Sequence, residues 1–302
     1  MLKRLGRLGI VAVLVSVPLL SGVWQILFNS EVGMAKDIGI QGTSLSEIDY
    51  ASVPQTVIND AARIAAELFS NSQRKLQNFT DQLLSTYVEA RNSDVVVFFN
   101  PGGWGWNMTE NSPGWGSILN GIQAQLENQG YRPLMLNYRR TGSGIFGCLR
   151  EFFEVARRYP NKAKDLAWRV EFLTDNLPGL KVILAGESTG TVITDKTMGI
   201  LKNIPRIYSI QTGTPFWHKP VTQDRTLLMN SNGAGIDTFS YGNIPAMIWA
   251  TIKGWMRLSS PDENPGNILS WLRAPGHDYS WQYPGVSSEV TSFLQSNFAK
   301  KD

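Results

Sequence analysis

The chain has a single cysteine, Cys148, so it can close no disulfide within itself. Cys148 stands in Gly147-Cys148-Leu149-Arg150 beside an apolar helical stretch, which reads as a buried structural thiol rather than a catalytic one. Histidine is nearly as scarce. With only His218 and His277 the chain cannot build a His-rich metal cluster, and no Cys/His spacing resembles a zinc site. No Cys/His metal centre is therefore expected. Charge of one sign is also lacking: 28 Lys+Arg stand against 25 Asp+Glu, and the net charge of +3 is scattered, which argues against nucleic acid as a partner. Repeats and low-complexity tracts are absent. What remains is 302 residues, 42% hydrophobic and 18% charged, enough to bury one large α/β domain and too apolar for a disordered chain.

One long hydrophobic run stands out. Lys3, Arg4 and Arg7 precede an uncharged stretch from Leu8 to Ser30. A bilayer core of about 30 Å takes about 20 such residues as a helix. The basic end should stay in the cytoplasm and send the remainder outward. Residues 1–30 are thus expected to be a signal anchor, giving a single-pass membrane protein with its main domain outside the cytoplasm. The alternative is a cleaved signal peptide and a secreted product, with Gly33-Met34-Ala35 as a small-x-small site. Residues 31–92 read as a linker followed by amphipathic helices. Gly39 and Gly42 lie in the mostly polar part, and Ile58, Ala62, Ile64, Ala65, Leu68 and then Leu76, Leu83, Leu84, Val88 recur at helical spacing.

Beyond residue 93 the rhythm changes to that of a third segment, 93–302. Val95-Val96-Val97-Phe98-Phe99 is apolar without alternation, as in a strand buried on both faces of a parallel sheet. Asn100-Pro101-Gly102-Gly103 stops it. A helix with Ile118, Ile122 and Leu126 on one stripe follows, then a strand over 133–138, helical stretches around 152–155 and 166–173, a strand over 181–185 and a helix from 189 to 201. Residues 207–210 and 226–229 are further strand candidates; 244–256 and 287–298 read as helices. Alternating strands and helices predict an α/β fold with an open, mostly parallel sheet flanked by helices.

The strongest chemical signal is Gly186-Glu187-Ser188-Thr189-Gly190, a G-x-S-x-G pattern between the strand Val182–Ala185 and a helix holding Val192 and Ile193. A serine on such a tight turn projects its Oγ above the sheet, and the helix N-terminus adds positive potential where an oxyanion would form. Here the sequence resembles the α/β-hydrolase family over about 94–298, roughly two-thirds of the chain, anchored by Gly186–Gly190, the Gly102-Gly103 turn and Gly276-His277. The resemblance implies an α/β-hydrolase fold, a Ser-His-acid triad and acyl-transfer chemistry, which requires no metal and no organic cofactor. It makes Ser188 the nucleophile and the Thr189 N–H one oxyanion donor. The second donor would come from the Gly-rich loop after the 95–99 strand, with Gly103 or Trp104 as candidates. Trp104, Trp106 and Trp115 suit either an apolar acyl pocket or plain packing.

In this family the chain order is Ser, acid, His. His277, in Ala274-Pro275-Gly276-His277 before the last helix, is the expected base. The acid is less determined. Asp237 lies after the 226–229 strand where the family places it, Asp262 is nearer His277 in sequence, and Asp224 precedes the strand. His218 suits a pocket rim or lid, or an exposed loop. The sequence departs from the family between Met256 and His277, where no convincing core strand occurs, so the sheet is expected to be shortened at its C-terminal strands, somewhat as in cutinases. The expected activity is hydrolysis of a carboxylic ester, such as a lipid or another apolar acyl ester, by a membrane-held serine esterase. Two other readings stay open: a hydrolase-fold protein that binds without catalysing, and a structural membrane-surface protein using the 54–90 helices.

Overall fold

A computed structural model describes residues 39–41, 52–69, 72–103, 113–139, 159–221, 224–258, 266–269 and 272–299. The expected membrane segment 1–30, the Gly33–Ala35 site, Trp104, Trp106, Cys148 and Asp262 lie outside them. Among the described residues no helix is long and apolar enough to cross a membrane.

In chain order the elements are β1 (Gly39–Gln41), α1 (Gln55–Phe69), α2 (Gln73–Ala90), β2 (Val95–Asn100), α3 (Pro113–Asn128), β3 (Pro133–Arg139), α4 (Pro160–Asn176), β4 (Lys181–Glu187), α5 (Thr189–Ile200), β5 (Ile207–Thr212), β6 (Thr226–Met229), α6 (Ile244–Trp255), β7 (Asn267–Leu269), β8 (Leu272–Arg273) and α7 (Pro284–Phe298). Six strands form one sheet in the order β1-β3-β2-β4-β5-β6. All its pairings are parallel except that of β1 with β3. The fold is thus the α/β arrangement expected, a mostly parallel sheet with helices on both faces.

The unalternating sequence of β2 has its reason in this arrangement: every residue from Val95 to Asn100 is buried. Side chains still sort by parity, because successive residues of a strand point to opposite faces. Val96, Phe98, Val182 and Leu184 join the core under α1, α2, α4 and α5. Val95, Val97, Phe99, Ile183 and Ala185 join the core under α3 and α7. The amphipathic helices of the 54–90 region are therefore part of the sheet's covering, with Ala61, Ala65, Leu83 and Leu84 fully buried in the first core.

One feature differs from the sequence reading. Residues 39–41, within the expected linker, form an edge strand on β3. An unpaired strand edge offers its hydrogen bonds to any backbone, so such a three-residue strand carries little sequence signal. The sheet is shortened at its C-terminal strands, as expected: among the described residues between Met256 and His277, β7 and β8 pair with each other as a separate two-stranded sheet, and the main sheet ends at β6.

Candidate active site

Parallel pairing aligns the C-terminal ends of β2, β4, β5 and β6 along one edge of the sheet. The loops leaving those four strands meet there. β4 ends at Glu187, and α5 begins at Thr189, so one residue makes the whole reversal. Ser188 does so with φ 49° and ψ −120°, backbone values that a residue with a Cβ rarely adopts. Its N–H donates to Thr212 O at 2.9 Å, and its carbonyl accepts from Thr191 N–H at 3.0 Å. The turn is therefore tied to β5 and to the first turn of α5. Gly190 explains the last position of the motif: a Cβ there would lie 2.1 Å from the Asn100 carbonyl oxygen, so only glycine lets α5 approach the loop after β2.

His277 arrives on the loop after β8 and is buried. Its Nε2 lies 3.1 Å from Ser188 Oγ and its Nδ1 lies 2.8 Å from Asp237 Oδ2. Gly213, at the end of β5, passes under the imidazole with φ 66°, and a Cβ there would lie 2.6 Å from His277 Cε1. Phe239 and Tyr279 stand edge-on to the ring, with centroids 4.8 and 6.1 Å away.

Asp237 is fully buried in the loop after β6. Five donors converge on its carboxylate. Oδ1 accepts from the N–H groups of Phe239 and Ser240 at 2.9 and 3.1 Å. Oδ2 accepts from the Ser240 hydroxyl and the Tyr279 hydroxyl, each at 2.8 Å, besides His277. Burial alone would push this carboxyl up, but the hydrogen bond and charge of His277 and the two Ser240 donors outweigh it and hold Asp237 below the ordinary value. Burial, then the charge and hydrogen bond of Asp237, push the Tyr279 phenol far above its usual range, so it stays a donor. An ionised Asp237 only accepts hydrogen bonds. In the neutral imidazole the proton therefore sits on Nδ1, which leaves the Nε2 lone pair facing Ser188 Oγ–H.

The loops that carry Asp237 and His277 are also stitched to each other. Thr238 donates twice to the Pro275 carbonyl, from its N–H at 3.0 Å and its hydroxyl at 2.9 Å. Of the other two acid candidates, Asp224 is exposed and precedes β6, at the opposite edge of the sheet from Ser188. Asp262 lies outside the described residues.

Thr189 opens α5 beside Ser188, and the Gly102–Gly103 loop lies against them. A Cβ on Gly102 would be 3.1 Å from Ser188 Cβ. The Gly102 N–H donates to Glu187 Oε2 at 2.9 Å, and the Thr189 hydroxyl donates to the Gly103 carbonyl at 2.9 Å. Trp104, the other donor candidate, lies outside the described residues. Trp115 is a packing residue: it is buried, stacks on Phe99 and donates from Nε1 to Thr212 Oγ1 at 2.9 Å.

His218 differs from the exposed-loop reading. It is buried, with Nε2 2.9 Å from Asp195 Oδ2 on α5, while Asp195 Oδ1 accepts the Val221 N–H at 3.0 Å. The pair fastens the loop after β5 to the helix. Sequence reasoning missed Tyr279, Ser240 and Glu187; only the nearness of Tyr279 to His277 and of Glu187 to Ser188 hinted at them. Among the described residues no group of three or more His, Cys, Asp or Glu side chains could hold a metal ion.

No protein-family model and no curated protein matches the sequence. Among solved structures, the chain is similar to Trichoderma reesei cutinase in complex with a C11Y4 phosphonate inhibitor, at 16% identity and a TM-score of 0.40, over 81% of this chain and 94% of that one.

Proposed function

We propose that the protein is a serine hydrolase of the α/β-hydrolase type that cleaves a carboxylic ester through Ser188, His277 and Asp237. The observation that carries this reading is the unbroken series of hydrogen bonds from Ser188 Oγ to His277 at 3.1 Å and from His277 to Asp237 at 2.8 Å. A hydroxyl on a strained turn, facing an imidazole whose far side meets a buried carboxylate, is an activated nucleophile.

In the acylation half, Ser188 Oγ bonds to the ester carbonyl carbon as its proton passes to His277 Nε2. The carbonyl oxygen becomes an oxyanion beside the Thr189 N–H and the loop after β2. The tetrahedral adduct collapses when His277 returns the proton to the departing alkoxide oxygen, leaving an acyl-Ser188 ester and free alcohol. Water then adds to the acyl carbon, giving a proton to His277 Nε2. Collapse restores Ser188 Oγ–H and releases the acid. Throughout, Asp237 keeps the ring oriented and stabilises its positive form.

Exposed apolar side chains on the segment that carries Asp237 and runs into α6 (Ile236, Tyr241, Trp249 and Trp255) support an apolar ester as substrate. Lys3, Arg4 and Arg7 ahead of the 8–30 run support attachment to a membrane with the domain outside the cytoplasm. The test is reaction with a fluorophosphonate probe. Labelling of the folded protein that disappears in Ser188→Ala is the expected result. Folded protein that takes no label would instead point to a binding role.

A further inference from the structure

The two residues flanking Ser188 are not absorbed by the triad, yet both reach the same loop. Glu187 closes β4 and Thr189 opens α5, and the sharp turn between them aims both side chains at residues 100–103. Glu187 Oε2 takes the Gly102 N–H at 2.9 Å, and Thr189 Oγ1 donates to the Gly103 carbonyl at 2.9 Å. The base of the loop is held separately. Asn100 is fully buried and donates from Nδ2 to Thr194 Oγ1 on α5 at 3.1 Å.

These contacts pin two different peptide planes. The Glu187 bond fixes the plane entering Gly102 through its N–H. The Thr189 bond fixes the plane leaving Gly103 through its carbonyl. Peptides are planar and trans, so fixing one polar group of a plane fixes the direction of the other. Gly102 and Gly103 have no side chains to limit their backbone, and such a segment otherwise loses much conformational freedom when ordered. Donors that stabilise an oxyanion are effective because they are oriented before the reaction.

We infer that Glu187 and Thr189 are positioning residues: a two-point clamp, one on each side of the nucleophile, that holds the 100–103 loop in shape to receive the oxyanion. The inference rests on the ester-hydrolase reading above. It gives Glu187 a task that needs only an oxygen acceptor and gives the Thr189 side chain a task that needs only a hydroxyl. It also spends the Gly102 N–H on Glu187, so that amide serves the loop rather than the substrate.

The test is steady-state hydrolysis of p-nitrophenyl butyrate, with thermal melts, for Glu187→Ala, Thr189→Val and the conservative Glu187→Gln and Thr189→Ser. Inactivation by a fluorophosphonate, which builds charge on a phosphoryl oxygen at the same place, gives a second rate. The first two variants should lose about tenfold to a hundredfold in kcat and in inactivation rate, with KM changed by less than about threefold and the melting temperature held. The conservative pair should recover most of the loss. Unchanged rates in Glu187→Ala and Thr189→Val would overturn the clamp. So would losses that track melting temperature and are not recovered by Gln and Ser. Ser188→Ala separates the two levels: turnover surviving in it overturns the hydrolase reading, whereas an inactive Ser188→Ala beside a fully active Glu187→Ala overturns the clamp alone.

Discussion

The protein holds two buried His–Asp pairs of nearly the same length: His277–Asp237 at 2.8 Å and His218–Asp195 at 2.9 Å. They differ in which ring nitrogen meets the carboxylate. His277 uses Nδ1, the nitrogen nearer its own backbone, and so presents Nε2 to Ser188. His218 uses Nε2, and its Nδ1 is buried with no hydrogen-bond partner among the described residues. The carboxylates differ too. Asp237 gathers five donors from three side chains and two backbone groups, whereas Asp195 takes His218 and the Val221 N–H. A histidine bonded to a buried aspartate is thus not by itself a catalytic signature. The free-facing nitrogen and the number of groups fixing the acid make the difference.

Substitutions at matched positions should break the resemblance between the pairs. The largest effect is expected for His277→Ala, which removes the proposed base and should cost on the order of 10⁶-fold in kcat toward a p-nitrophenyl ester. His218→Ala should change kcat by less than about tenfold. Equal losses in both would mean that the loop after β5 takes part in the chemistry. Next come the acids. Asp237→Asn removes the carboxylate that selects the Nδ1–H tautomer and should lower kcat by about 10⁴-fold, while Asp195→Asn should leave kcat within about tenfold. In stability the order reverses in interest. His218→Ala leaves Asp195 buried with one donor fewer, which costs about 1–3 kcal/mol and should lower the melting temperature by several degrees without changing the rate per folded molecule.

The smallest effect sharpens the same comparison through pH. Asp237 titrates below its ordinary 3.8 in the folded protein, so its ionised form stabilises the fold. That contribution is present in full above 3.8 and is lost as pH falls through the lower folded value. The gap in melting temperature between the native protein and Asp237→Asn should therefore narrow as pH drops below 3.8. A gap constant down to strongly acidic pH would contradict the five-donor account.

How far the sequence announced this site depends on how local each part is. Ser188 was legible because strand, turn and helix are contiguous, and the glycine at 190 answers a steric demand made within the motif's own neighbourhood. His277 was legible from its place before α7. Asp237 remained one of three candidates, because what selects it is the closure of its loop onto Pro275, nearly forty residues along the chain, through Thr238. Tyr279 and Glu187 carry no spacing rule, since their contacts exist only once separate loops have met, whereas Ser240 bonds Asp237 within one loop and is a local feature that the sequence reading passed over. The fold divides in the same way. The interior strands were visible because burial on both faces dictates their composition, while β1 was not, since an edge pairing is decided by the neighbour and not by the segment itself.

The helical pair α1–α2 has a consequence for how the chain comes into being. Its apolar residues belong to the core shared with α4 and β4, yet α2 ends at Ala90 and α4 starts only at Pro160. At the usual pace of synthesis, about 5–20 residues per second, some 4 to 14 seconds pass between the end of the hairpin and the start of α4. During that interval β2 and β3 are made and bring Val96, Phe98, Leu136 and Tyr138 to the same core, but the face of the hairpin that packs on α4 has to wait, so this part of the domain is completed well after it is made.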